Sequence, residues 1–147
     1  MGSGNNGPYI GTKFSKSSET SREQPKLFAQ MPNYDKSTTP IEKFRDYSLN
    51  PGNPNNHGKA EAYKRGLGFD KSNAEDLRSQ IHNAIISGKY RPYGTETDQY
   101  GIRYKYRVPV KGPNGKTKNV IAVYQIDKGK ENSRMVTNYL DKEKNQK

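Results

Sequence analysis

The chain predicts an α+β fold: two or three N-terminal helices packed on an antiparallel β-meander of three to four strands. Three observations predict it. Apolar residues recur at helical spacing between Ile41 and Ile85. From Ile102 to Val110 apolar and basic residues alternate strictly, the period of a half-buried strand. Gly112-Pro113-Asn114-Gly115 then separates that run from the β-branched stretch Val120 to Ile126, and Asn-Gly predicts a hairpin through a type I′ turn.

Taken in order, residues 1–38 are rich in Gly, Ser, Asn, Thr and Pro and hold no period, so they read as a linker or pre-domain arm, with local contacts at Tyr9, Phe14, Phe28 and Tyr34. The domain is expected over residues 39–141. Thr39-Pro40-Ile41-Glu42 has the form of a capped helix start, with Phe44 and Tyr47 continuing its apolar stripe through Ser48. Leu49 to Asn56 is a loop. Gly58-Lys59 opens a helix that ends near Gly66 or Gly68, with Ala60, Tyr63 and Leu67 on one face. Ser72 and Glu75 predict a second capping box, Leu77, Ile81, Ala84 and Ile85 a buried stripe, and Gly88 the end. Residues 89–99 form a connection or a short edge strand, since Pro92 does not suit a central one. In the hairpin, Val120–Ile126 is nearly all apolar, so that strand is buried on both faces. Arg134 to Leu140 is the last strand, and residues 142–147 are a solvated, frayed tail.

Composition bounds the function. The 147 residues are only 29% hydrophobic and carry a net charge of +11. Residues 1–40 hold five Lys/Arg and three Asp/Glu, whereas residues 41–147 hold 21 and 12. The folded part is therefore the basic part, and its partner is a polyanion, nucleic acid or an acidic protein, unless the charge serves solubility alone. Without cysteine there is no disulfide framework, thiolate metal site or cysteine nucleophile. No apolar run reaches the roughly 18 residues of a membrane span, so no membrane insertion is expected. No P-loop, GxSxG or spaced metal-ligand cluster is present, so neither a metal nor a cofactor is expected.

The segments GKAEAYKRGLGFDKSNAEDLRSQIHNAI, YGIRYKYRVPVKGPNGKTKNVIAVYQI and RMVTNYL together resemble a small bacterial and phage domain family of uncharacterised function, over roughly residues 41–140. Its members look like C-terminal modules of polymorphic toxins and phage head-associated proteins. The order of elements is similar to the ribonuclease fold shared by barnase-like, colicin-like and RelE-like toxins. The resemblance implies a metal-independent ribonuclease, delivered as the C-terminal part of a larger protein and acting as a monomer in a target cytoplasm. It also implies RNA, tRNA included, as substrate and an acidic immunity protein as partner. The alternative is a non-catalytic module that binds nucleic acid or an acidic protein.

Metal-free RNA cleavage needs a group that moves protons and cations that hold the phosphate. His57 and Lys59 lie at a helix N-terminus, where an anion is favoured, and are the candidate proton-transfer groups. Lys59 there opposes the helix dipole, which suggests that it serves a ligand. Thr137 and Tyr139 share a strand face and would position the scissile group. Arg103, Lys105 and Arg107 share another face at intervals of about 7 Å and are the candidate phosphate binders. Lys118 beyond the turn, and Tyr104 if the register places its face outward, complete the RNA-binding candidates. His82 falls off the apolar stripe of its helix and reads as a boundary residue.

Overall fold

The computed structural model describes residues 29–142. Residues 1–28 of the expected linker 1–38, with Tyr9, Phe14 and Phe28, and the tail beyond Lys142 lie outside the described residues. Four strands, β1 (Gly94–Asp98), β2 (Gly101–Lys111), β3 (Thr117–Asp127) and β4 (Arg134–Leu140), form one sheet in the order β1-β2-β3-β4, every neighbour antiparallel. Helices α1 (Lys59–Leu67) and α2 (Ala74–Ser87) and a short π-helical segment, Lys43–Ser48, precede it. This is the α+β order that the periodicities predict.

The helices contribute Phe44, Tyr63, Leu67, Leu77, Ile81 and Ile85 to one core, and the sheet meets them with Tyr104, Tyr106, Val108, Val110, Val120, Ala122, Tyr124 and Met135. Burying side chains of this size, each at about 1.5–3 kcal/mol, is what holds helix to sheet. Alternation along β2 therefore places Arg103, Lys105 and Arg107 on the face away from the helices. β3 is buried on both faces, Ile121 and Val123 included. The register sets Ile121 between Arg107 and Tyr139, and Val123 between Lys105 and Thr137, so the stems of these longer side chains cover it.

Several local expectations are corrected. The ordered fold begins before residue 39: Met31 is buried in the core, Gln30 receives the Tyr106 hydroxyl, and Thr38 bridges to Arg134. Thr39 is not a helix cap. Its hydroxyl is buried against Tyr124 at 2.6 Å and His82 Nδ1 at 3.0 Å, and its carbonyl accepts from Arg78. His82 is held below its usual pKa, first by burial and then by the nearby Arg78 guanidinium. The capping box before α2 belongs to Asp70 and Asn73, not Ser72 and Glu75: Asp70 accepts from the Ser72 N–H while Asn73 accepts from the Asp70 N–H. The carboxylate of Asp70 is held down at about 2, first by the Ser72 hydroxyl and then by Lys64. The hairpin turn is not type I′, because Gly115 has φ of 89° while Asn114 is not among the residues at positive φ. The Gly115 N–H donates to Gly112 and the Gly112 N–H to Lys116, as in a type I turn closed by a glycine bulge. Gly68 and Gly88 end α1 and α2 in the left-handed conformation, as expected.

One irregularity decides the rest. Val123 pairs with Thr137 but Tyr124 pairs with Met135, so Val136 is an extra residue in β4. A bulge of this kind re-aims the side chains beyond it. Met135 and Asn138 both face the helices, where Asn138 accepts from the buried Tyr63 hydroxyl at 2.8 Å. Thr137 and Tyr139 consequently stand on the open face with the β2 cations.

Candidate functional site

Lys59 is the first residue of α1, which packs beside the β4 edge of the sheet. Two successive residues at positive φ, His57 at 55° and Gly58 at 84°, turn the chain sharply into the helix. Asn56 fixes that turn, accepting from the Gly58 N–H and donating to the carbonyls of Tyr47 and Asn50. The Lys59 side chain then reaches the open face. Its ammonium donates to the Tyr47 hydroxyl at 2.9 Å and to Thr137 Oγ1 at 3.0 Å. It also lies 4.6 Å from the ring centre of Tyr47 and 5.5 Å from that of Tyr139, within cation–π range. The Tyr47 hydroxyl in turn donates to the Asn55 carbonyl.

Lys59 is half-buried, and among the described residues no carboxylate pairs with it. The β2 cations differ. Arg103 pairs with Asp98 at 3.2 Å, Lys105 with Glu96 at 2.9 Å and Arg107 with Asp141 at 3.0 Å. The Glu96 carboxylate raises the pKa of Lys105. Arg107 also stacks on Tyr93, its guanidinium carbon 4.2 Å from the ring centre. Burial, and next the neighbouring Tyr139 phenol, push the Tyr93 phenol up, against the opposing pull of Arg107 and Lys105. Tyr139 thus stands between the Lys59 cluster and the β2 cations, and the two form one continuous surface.

The structure brings together Lys59, Thr137, Tyr139, Lys105 and Arg107, with Arg103 at the far end of the stripe. Three expected site residues fall elsewhere. His57 is exposed and lines a separate cleft with Pro51, Asn53 and Glu61. Tyr104 faces the helices, 9% exposed, so the register does not turn it outward. Lys118 lies on the helix side of the sheet, beside Gly66. Tyr47 and Tyr93 are additions. Tyr47 reads from sequence as part of a helical apolar stripe, but the π-helical spacing buries Phe44 and leaves Tyr47 at the edge. Tyr93 carried no signal beyond the abundance of tyrosine. Among the described residues no group of three or more His, Cys, Asp or Glu side chains could hold a metal ion, and no helix is long and apolar enough to cross a membrane.

One chain of a contact-dependent growth inhibition toxin–immunity protein complex from Klebsiella pneumoniae 342 has a similar fold, with a TM-score of 0.54 at 18% sequence identity over 71% of this chain and 99% of that one. No curated protein matches the sequence. The match to a family described as a domain of unknown function, DUF6883, runs over residues 30–142, nearly the whole of the described fold, and the chain belongs to that family.

Proposed function

We propose that this domain is a toxin module that cleaves RNA without a metal ion, with Lys59 at its centre. The observation that carries the reading is the state of that lysine: a half-buried ammonium with no carboxylate partner among the described residues, held by two hydroxyls on the sheet face that also carries the β2 cations. Burying a charge without a counter-ion is costly, so a site built this way favours an anion that supplies one. An ammonium has three N–H donors. Tyr47 and Thr137 take two, and the third is left for a phosphate oxygen. The positive end of α1 adds to the same potential.

The chemistry that fits is transesterification within the RNA. The 2′-oxygen attacks the adjacent phosphorus, the bond to the 5′-oxygen breaks, and a 2′,3′-cyclic phosphate and a 5′-hydroxyl result. The proton of the 2′-hydroxyl passes to water. Lys59 donates a proton to the leaving 5′-oxygen and is reprotonated from solvent. Thr137 and Tyr139 position the phosphate, while Lys105 and Arg107 exchange their carboxylate partners for its neighbours. The resemblance of the fold to a chain of a toxin–immunity complex supports a toxin-related role, and the basic surface favours nucleic acid over a neutral substrate. An acidic protein seated on the open face would be its inhibitor.

Incubation with total RNA in EDTA tests the proposal. Cleavage is expected. Retention of RNA without cleavage would instead identify a nucleic-acid-binding module, and neither binding nor cleavage would leave the acidic protein as the partner.

A further inference from the structure

Each cation of the β2 stripe is neutralised from within the chain. A polyanion that bound there would have to displace three ion pairs. Further cations gather elsewhere. Where the last turn of α1 meets the end of β4 and the foot of the hairpin, Arg65, Lys116, Lys118 and Lys142 line a cavity of about 430 Å³ with Gly66 and Asp141. Among the described residues the side chains of Arg65, Lys116 and Lys142 form no ion pair, and all three residues are exposed. Asp141, the one carboxylate among the described residues of the lining, is tied to Arg107 at 3.0 Å.

Two features make this concavity suit an anion. Gly66 lies against the end of β4, where a Cβ would meet the tip of the Leu140 side chain, Cδ2 at 2.6 Å, and the Lys118 stem at 3.6 Å, so helix and strand stand close beside the cations. The carbonyls at the end of α1, which would repel an anion, are already occupied. Gly66 O accepts from Asn114 Nδ2, Leu67 O from the Asn114 N–H, and Lys64 O from the Gly68 N–H.

We infer that this cavity is a second phosphate subsite, which holds the RNA backbone next to the phosphate that is cut at Lys59. The inference rests on the RNA reading above. Tyr139 of the Lys59 cluster and Asp141 of the cavity are two residues apart on one strand direction, about 7 Å. A single strand of RNA lying along β4 reaches both. Lysines at an exposed concavity act as point charges, which hold a phosphate backbone without fixing its position.

The test is binding of a 2′-O-methyl RNA oligonucleotide, which cannot undergo the transesterification, measured from low to moderate salt. The variant carries Arg65→Gln, Lys116→Gln and Lys142→Gln together. The control removes the same charge at the far end of the sheet, beside the β3–β4 loop, with Lys36→Gln, Lys128→Gln and Lys130→Gln. The cavity variant is expected to bind roughly ten-fold or more weakly at low salt, with a salt slope smaller by about two units, as three lost contacts to a single strand require. The control keeps the wild-type slope. Equal slopes for the two variants would overturn the subsite. So would unchanged RNA binding by the cavity variant with loss of polyglutamate binding, which would assign the surface to an acidic protein. A wild type that binds and cuts RNA while the cavity variant binds equally well defeats the subsite alone; a wild type that does not bind RNA defeats the RNA reading.

Discussion

Replacing Lys59 by alanine is expected to lower the rate of RNA cleavage by about 10²–10³-fold, the usual loss when one preorganised donor to a developing oxyanion is removed. The fold should survive. The two hydrogen bonds lost are at a half-buried position, the freed hydroxyls of Tyr47 and Thr137 are not sealed in the core, and the cost is about 1 kcal/mol. Single-turnover cleavage and thermal melting, measured on the same samples, separate the effects. Lys59→Arg keeps the charge but presents a planar fork where a compact ammonium sits between two rings, so it should recover only part of the rate. A Lys59→Ala protein that folds and cleaves at the wild-type rate would remove this residue from the mechanism.

Gly112→Ala should produce the largest loss of stability, about 3 kcal/mol, or a fall in melting temperature of about 10 °C for a domain of this size. Gly112 is buried where the hairpin docks on the end of α1. A methyl group on it would lie 2.0 Å from the Leu67 carbonyl oxygen and 2.6 Å from Leu67 Cβ. The obstacle is backbone, so rotamer changes cannot relieve it. The hairpin must lift, and the Asn114 N–H bond to Leu67 and the Asn114 side-chain bond to Gly66 go with it. Gly94→Ala is the matched control: a Cβ there meets nothing within 4 Å and φ is not positive, so the melting temperature should hardly move. Equal behaviour of the two variants would show that the hairpin does not dock as described.

Alternation located β2, helical spacing with glycine ends located both α-helices, and β-branched or β-favouring runs located β3 and the closing strand, because burial of one or both faces leaves its mark on residue type. The limits of that reading fall at particular residues. Continued alternation along β4 would put Met135, Thr137 and Tyr139 on one face, and the methionine would draw all three toward the core. The bulge at Val136 separates them, and no periodic signal marks a single inserted residue. Thr39 before Pro40 carries a capping signature, yet the Tyr124 hydroxyl and the ring Nδ1 of His82, 43 positions away, claim its side chain, which is tertiary context overriding a local rule. The basic stripe on β2 was legible and faces outward. Its ion pairs were not legible, since Glu96 and Asp98 come opposite it only through the β1–β2 register and Asp141 only through β3 and β4. Lys59, Thr137 and Tyr139 were legible as separate candidates. Their meeting, and the part that Tyr47 plays in it, follow from where α1 docks.

The central claim is that the Lys59 face cuts RNA through the ribose 2′-hydroxyl. It is tested most directly by end-group analysis of a labelled RNA incubated with the protein in EDTA, beside the same sequence fully 2′-O-methylated. The account predicts fragments ending in 2′,3′-cyclic phosphate from the first and an intact strand from the second. Cleavage of the methylated strand, or products ending in a 3′-hydroxyl, would contradict it.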